Sequence, residues 1–305
     1  MSFFKLTSTD RHEIFVHQWQ IDSPCKILVI AHGMAEHGAR YAALATFLNN
    51  HKISVYAIDH RGHGKSTRDE NDIGHFSKNE NGWEKVVEDL HRVINHLQML
   101  NPNIPVILFG HSMGSFISLG FSICYGKKLK ALILSGSNSS PILLYKIARF
   151  VTQIEIWRQG SDGKSSLLEF LSFGSFNKKF EPARTKFDWL SRDPEQVDIY
   201  INDPYCGFKI SNKSWMDLLG GLIEISKRPR LSLIPSQLPI YIFGGDSDPV
   251  GGFGKGISRL SDELRASGIK NVKLKLYKEG RHEMVNETNK EEVFTDVINW
   301  LNEQI

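Results

Sequence analysis

Apolar runs of strand length alternate with helix-length amphipathic stretches through most of this chain. That rhythm limits the fold more than any other feature. Ile27-Leu28-Val29-Ile30, Ile53-Ser54-Val55-Tyr56-Ala57-Ile58, Val106-Ile107-Leu108-Phe109, Leu129 to Leu134 and Leu238-Pro239-Ile240-Tyr241-Ile242-Phe243 are nearly continuous in apolar character. A strand with one wet face would alternate instead, so these strands are buried on both sides. Between them lie helical patterns at Tyr41 to Leu48, at Trp83 to Leu100 (stopped by Asn101-Pro102) and at Phe116 to Tyr125. The pattern predicts an α/β fold: a mostly parallel central sheet with helices on both faces. Phe4 to Leu6 and Ile14 to Trp19, joined by Ser8-Thr9-Asp10, read as a leading hairpin. In the last strand, Val272, Leu274 and Leu276 alternate with Lys273 and Lys275, which predicts an edge strand guarded by lysines.

The rhythm breaks after Ser135-Gly136-Ser137 and resumes at Leu238. The stretch between them is helix-like and rich in large apolar groups: Leu143, Leu144, Phe150, Ile156, Trp157, Phe170, Phe173, Phe176, Trp189 and Trp215. It is expected to be a helical cap, residues 138–236, inserted into a core built from 1–137 and 237–305. A helix at about Lys255 to Ala266 and another at about Glu291 to Leu301 complete the core.

The chain is 305 residues long with a net charge of +3 and carries no lysine- or arginine-rich block. Nucleic acid is therefore not an expected partner. Cys25, Cys124 and Cys206 are widely spaced, odd in number and match no metal-ligand pattern, which fits a reducing, cytoplasmic setting. Met1 to Asp10 lacks a basic segment followed by an apolar one, so no signal peptide is expected. No run of about 18 apolar residues occurs, so no transmembrane span is expected and any membrane contact would be transient and superficial.

Gly110-His111-Ser112-Met113-Gly114 lies between the Val106 run and the helix that follows. A Gly-x-Ser-x-Gly at a strand-to-helix junction lifts a serine hydroxyl to the top of a sheet on a strained turn. A serine needs a base, and the base needs a carboxylate to fix its tautomer and steady its cation. Groups of this kind gather at the carboxyl ends of parallel strands. After Phe243 come Gly244-Gly245-Asp246-Ser247-Asp248-Pro249, in which Asp248 is the expected acid and Asp246 a brace of the loop. After Tyr277 comes Arg281-His282-Glu283, and His282 is the expected base. An oxyanion needs two fixed donors. Met113 N–H, at a helix N-terminus, is one candidate, and Met34 N–H, in the loop Ala31-His32-Gly33-Met34, is the other. Asp59-His60-Arg61-Gly62-His63-Gly64-Lys65-Ser66 lacks the spacing of a phosphate-binding loop and partners for a metal; a structural loop beside the site is expected. Gly251-Gly252-Phe253-Gly254 is read as a flexible loop, not a dinucleotide fingerprint.

Together these blocks closely resemble the monoacylglycerol lipase and lysophospholipase branch of the α/β-hydrolases, the serine-aminopeptidase-like group. The resemblance is carried by His32-Gly33-Met34-Ala35-Glu36-His37 with Arg40-Tyr41, by Asp59 to Ser66, by Gly110 to Gly114 and by Gly280-Arg281-His282-Glu283. It implies the α/β-hydrolase fold, no cofactor and no metal. It also implies a Ser112–Asp248–His282 triad with Met34 and Met113 as oxyanion donors.

The expected chemistry is carboxylic ester hydrolysis through an acyl-enzyme, on a monoacylglycerol or lysophospholipid type of lipid ester. The apolar cap residues suit an acyl chain, or else form the cap's own small core. An aminopeptidase would use the same triad and would need cap carboxylates such as Glu155, Glu169, Glu181 or Glu195 to hold an ammonium. A serine acyltransferase and a receptor that retains the fold are further readings. Dehalogenase and epoxide hydrolase chemistry use an aspartate nucleophile, and this elbow carries serine.

Overall fold

The computed structural model describes residues 2–304. One eight-stranded sheet runs through the molecule in the order β1-β2-β4-β3-β5-β6-β7-β8. The strands are β1 (Ser2–Thr7), β2 (Glu13–Trp19), β3 (Lys26–Ala31), β4 (Ile53–Ile58), β5 (Val106–His111), β6 (Ala131–Ser135), β7 (Ile240–Gly245) and β8 (Val272–Tyr277). β1 and β2 form the antiparallel hairpin, β2 joins β4 antiparallel, and every later pairing is parallel.

Helices α1 (Ala42–Asn49), α2 (Gly82–Leu100) and α3 (Met113–Tyr125) lie in the first half of the chain. Helices α4 (Ile142–Gln159), α5 (Ser166–Phe173), α6 (Pro194–Asn202), α7 (Asn212–Ile225) and α8 (Arg228–Leu231) fall between β6 and β7. Helices α9 (Lys255–Ala266) and α10 (Lys290–Gln304) close the chain. The sheet is covered on both faces, as its apolar strands require. One core joins Val29, Leu108 and Leu134 to α2, α3, α7 and α9. The other joins Leu28, Phe109 and Phe243 to α1 and α10.

Three details depart from the sequence reading. β6 starts at Ala131, and β7 runs past its apolar residues into Gly244 and Gly245. Gly245 has no room for a side chain, because a Cβ there would overlap the Gly280 carbonyl. β8 is the edge strand, but its lysines do not simply face water: Lys273 pairs with Glu303 at 3.4 Å and Lys275 with Glu292 at 3.0 Å, both on α10. Among the described residues, no helix is long and apolar enough to cross a membrane.

β3 has β4 on one side and β5 on the other, so the chain reverses its direction of winding there. Loops leaving β3 and β5 therefore splay apart and open a crevice at the carboxyl end of the sheet.

Candidate active site

Ser112 sits in that crevice, at the end of β5, with φ 51° and ψ −120°. A left-handed φ is costly for a residue with a Cβ, and such strain persists only where the surroundings over-determine it. Here they do. Ser112 N–H donates to the Ser135 carbonyl at 2.9 Å, and the Ser112 carbonyl accepts from Ser115 N–H at 2.9 Å. The flanking glycines permit the turn: a Cβ on Gly114 would overlap the Ala31 carbonyl, and one on Gly110 would overlap Ser118 and Gly114.

His282 follows β8 and is buried. Its Nδ1 lies 3.0 Å from Asp248 Oδ2, and Asp248 is itself buried in the turn after β7. The contact places the proton on Nδ1 and leaves Nε2 free to accept. Asp248 Oδ1 accepts Val250 N–H at 2.8 Å. Asp246 points elsewhere: its Oδ1 accepts Glu279 N–H at 2.8 Å and ties the β7 and β8 loops together. Burial alone would lower the basicity of His282, but the Asp248 charge and hydrogen bond, with Glu283 and Glu36 beyond, raise its pKa above the ordinary 6.5. His111 lies against it, ring centroids 4.7 Å apart, and burial holds its pKa down at about 4, so it stays neutral. Ser112 and His282 line one cavity of about 370 Å³. No hydrogen bond joins them among the described residues; such contacts often tighten only when substrate binds.

Across the crevice, β3 runs into Ala31-His32-Gly33-Met34. His60 N–H donates to His32 Nε2 at 2.9 Å, so the His32 proton sits on Nδ1, which donates to the Gly33 carbonyl at 2.7 Å. In a trans peptide the N–H points opposite to the C=O, so Met34 N–H is turned away from His32. A Cβ on Gly33 would lie 3.3 Å from Ser112 Cβ, which measures how closely this backbone passes the serine. Among the described residues no protein acceptor meets the N–H of Met34 or of Met113. Met34, Ser112 and His282 thus line one cavity, with Asp248 behind His282 and Met113 next in the chain after Ser112.

The chain from Asp59 to Ser66 is a bracket. Asp59 accepts Gly38 N–H at 2.7 Å, Lys65 N–H at 2.8 Å and His17 Nε2 at 3.0 Å. Ser66 Oγ donates to the Asp59 carbonyl and accepts Phe15 N–H. His17, His37 and Asp59 bring candidate ligand atoms within 4.8 Å of one another, as do His37, Asp203 and Cys206. The Asp59 oxygens are already taken by these donors.

Sequence reasoning missed the charged groups in the crevice wall. Glu36 accepts Gly33 N–H and is paired with Arg40, and Arg40 is paired with Glu283. A charged residue in a loop reads as solvated, and no local signal pairs groups so far apart in sequence.

The segment between β6 and β7 roofs the crevice. Trp189 lies 5.1 Å from the His282 ring, centroid to centroid, and its carbonyl accepts His282 N–H at 3.3 Å. Gly207 N–H and Tyr200 OH both donate to the Ala35 carbonyl, at 2.9 and 3.1 Å.

A family model described as serine aminopeptidase, S33, matches residues 22–289. The chain belongs to this family. Monoacylglycerol lipase of Mycolicibacterium smegmatis is 28% identical over 93% of this chain and 90% of its own. Monoglyceride lipase of Mus musculus is 26% identical over 98% of this chain and 90% of its own. Among solved structures, a thermostable carboxyl esterase from Bacillus coagulans, in complex with glycerol, superposes with a TM-score of 0.90 at 28% identity, over 99% of this chain and 98% of that one. The protein is an α/β-hydrolase and a carboxylic ester hydrolase of the S33 family.

Proposed function

We propose that this enzyme hydrolyses lipid monoesters, of the monoacylglycerol or lysophospholipid type, with Ser112 as nucleophile, His282 as base and Asp248 as the carboxylate that fixes it. The carrying observation is the His282 Nδ1–Asp248 contact of 3.0 Å, buried beside a serine on a strained turn in the same cavity. Ser112 Oγ attacks the acyl carbon as His282 Nε2 takes its proton. The oxyanion is held by Met34 and Met113 N–H, the latter favoured by the α3 dipole. His282 protonates the leaving alcohol, the acyl-enzyme forms, and a water activated by His282 releases the acid.

The segment 138–236 acts as the cap, with a core of 1–137 and 237–305. Its large apolar groups fall into four overlapping sets. Phe176 and Trp189 pack with Tyr200 into a small cluster of the cap's own. Trp215 joins the main core. Phe173, Phe187, Trp189 and Ile210 line the cavity, which suits an acyl chain. Leu143, Ile147, Phe150, Ile154 and Trp157 lie on the outer face of α4 at helical spacing, and Trp157 is 86% exposed. Exposed Lys146, Arg149 and Arg158 flank this stripe. Phe170 belongs both to the cavity wall and to the exposed surface. An apolar stripe with basic flanks suits transient docking on a lipid surface, from which the substrate enters.

An aminopeptidase finds less support. Glu155 is occupied by Arg158 and Ser165, and Glu181 and Glu195 are exposed. Of these four, only Glu169 lines the cavity, beside Glu36 and Glu283 of the sheet wall, and it is paired with Lys209 at 2.9 Å.

Ser112→Ala is expected to abolish hydrolysis of p-nitrophenyl esters, a loss of about 10⁴-fold or more, together with fluorophosphonate labelling. A variant that kept full activity would sink the assignment. Turnover across p-nitrophenyl esters of rising length, monoacylglycerols and lysophospholipids tests the substrate. Cleavage of short esters alone would reduce the reading to a plain carboxylesterase.

A further inference from the structure

Glu36, Arg40 and Glu283 form a buried ion triad that ties the two halves of the crevice together. Glu36 Oε1 accepts Gly33 N–H at 2.5 Å and Tyr41 OH at 2.9 Å. Its Oε2 accepts from an Arg40 Nη at 2.6 Å. The Arg40 fork then takes both oxygens of Glu283, at 2.7 and 2.6 Å. The side chains are almost wholly enclosed: Arg40 is 5% exposed, Glu36 4% and Glu283 5%. Glu283 is the peptide neighbour of His282, and it also accepts from Asn286 Nδ2 at 3.0 Å. From the cap, the Tyr200 ring lies 4.9 Å from the Arg40 guanidinium carbon.

A buried ion cluster is a poor stabiliser, because the desolvation of its charges offsets most of their attraction. Two carboxylates around one guanidinium leave one net negative charge in the crevice wall. Its position explains it better than its energy does. One carboxylate holds Gly33 N–H, one residue before Met34, and the other lies beside the base.

We propose that Arg40 is a positioning residue, whose planar fork fixes the spacing between the Met34 oxyanion donor and His282 by gripping Glu36 and Glu283 at once. This role presupposes Ser112, His282 and Asp248 as the reacting groups. The bidentate grip requires arginine, because a lysine ammonium is a single point of charge on a flexible stem. The triad's charge also reaches His282. The titratable groups facing that ring are Asp248, Glu283, Glu36 and His111, with Arg40 behind the two glutamates.

The test uses the full chain and a short soluble ester, and reads kcat, KM and the acid limb of kcat/KM for Arg40→Gln, Arg40→Lys and Glu283→Gln. Arg40→Gln is expected to lower kcat about ten- to a hundredfold with KM nearly unchanged, since a displaced oxyanion donor is felt only in the transition state. Its acid limb moves to higher pH, because the uncompensated carboxylates favour protonated His282. Glu283→Gln removes negative charge and moves the limb to lower pH; each shift is about half a unit or more. Both variants break the same bridge, so mere loosening of the fold would not move the limb in opposite directions. Arg40→Lys keeps the limb in place but leaves kcat reduced.

Wild-type kcat in Arg40→Lys, or limbs that move together or not at all, overturns the proposal. Near-ultraviolet circular dichroism reports folding. If Arg40→Gln does not fold, wild-type kcat in Arg40→Lys or an unmoved limb in Glu283→Gln still overturns it. Loss of activity in Ser112→Ala together with unaffected Arg40 variants would discard the clamp and keep the triad.

Discussion

The crevice has two walls of different character. One is the carboxyl edge of the sheet, where Ser112, Asp248, His282 and Met34 sit at the ends of β5, β7, β8 and β3. The other is the helical segment between β6 and β7, which supplies Trp189, Tyr200 and most of the cavity lining. The sheet wall is fixed by a buried ladder, by backbone bonds on both sides of Ser112 and by the tie of His282 to Asp248. The helical wall is tied to the sheet wall at many points, among them Arg192 to Glu287, Ser191 Oγ to the Asn286 carbonyl and Gly207 N–H to the Ala35 carbonyl, yet α4 keeps Leu143, Phe150 and Trp157 on its outside. The groups proposed for the chemistry lie on the sheet wall, and most of the apolar lining proposed for the acyl chain lies on the helical one.

The sharpest way to break this contrast is at the acid. Asp248→Asn leaves the shape intact but disturbs the His282 tautomer, and should lower kcat about 10³- to 10⁴-fold. Asp246→Asn only weakens the ties to Glu279 N–H and Ser247 Oγ and should cost less than about tenfold, because neither reaches His282. Steady-state rates of the two variants decide the point; the reverse ranking would move the acid to Asp246.

A second expected effect concerns the sheet wall alone. Burial holds His60 at about 3, and His63 and His111 at about 4, against an ordinary 6.5. Each of these rings therefore binds fewer protons in the folded protein than in the unfolded chain below about pH 6.5, so its contribution to stability is present above that pH and is lost as the pH falls. Each such histidine contributes a slope of about 1.4 kcal/mol per pH unit between its two pKa values. Urea unfolding at successive pH values from 7 to 5 should show the midpoint falling steeply. A flat midpoint would mean that these rings find water and protonate without penalty.

The smallest effect belongs to the cap. Phe150→Ser with Trp157→Ser should leave turnover of a short soluble ester unchanged and lower turnover of a vesicle-held monoester about three- to tenfold, since each removes exposed apolar surface that would enter the interface. Equal loss on both substrates would mean that the stripe serves the fold, not the lipid surface.

The same contrast governs what could be read in the sequence. The strands were legible because residues buried on both faces leave an unbroken apolar run, as at Ile27 to Ile30 and Val106 to Phe109. The glycines at 110 and 114 were legible because an elbow leaves no room for a Cβ. Strand ends were less so: Gly244 and Gly245 carry no apolar signal, yet they extend β7 to the turn that holds Asp248. The α4 stripe was invisible as a surface, because a helix apolar on its outer face has the same spacing as one apolar toward a core. Glu36, Arg40 and Glu283 were quoted in motifs without a role. Their meaning lies in a contact between residues 243 positions apart, which no local pattern encodes.

The carbonyl of Ala35 receives both Gly207 N–H and Tyr200 OH, and it lies one residue beyond Met34. The cap is therefore not freely exchangeable. A helical insert transplanted from a relative to change acyl preference must bring its own pair of donors to this oxygen. An insert without them would leave the loop that carries Met34 untethered on its outer side, and the chimera would bind its new substrate while turning it over poorly.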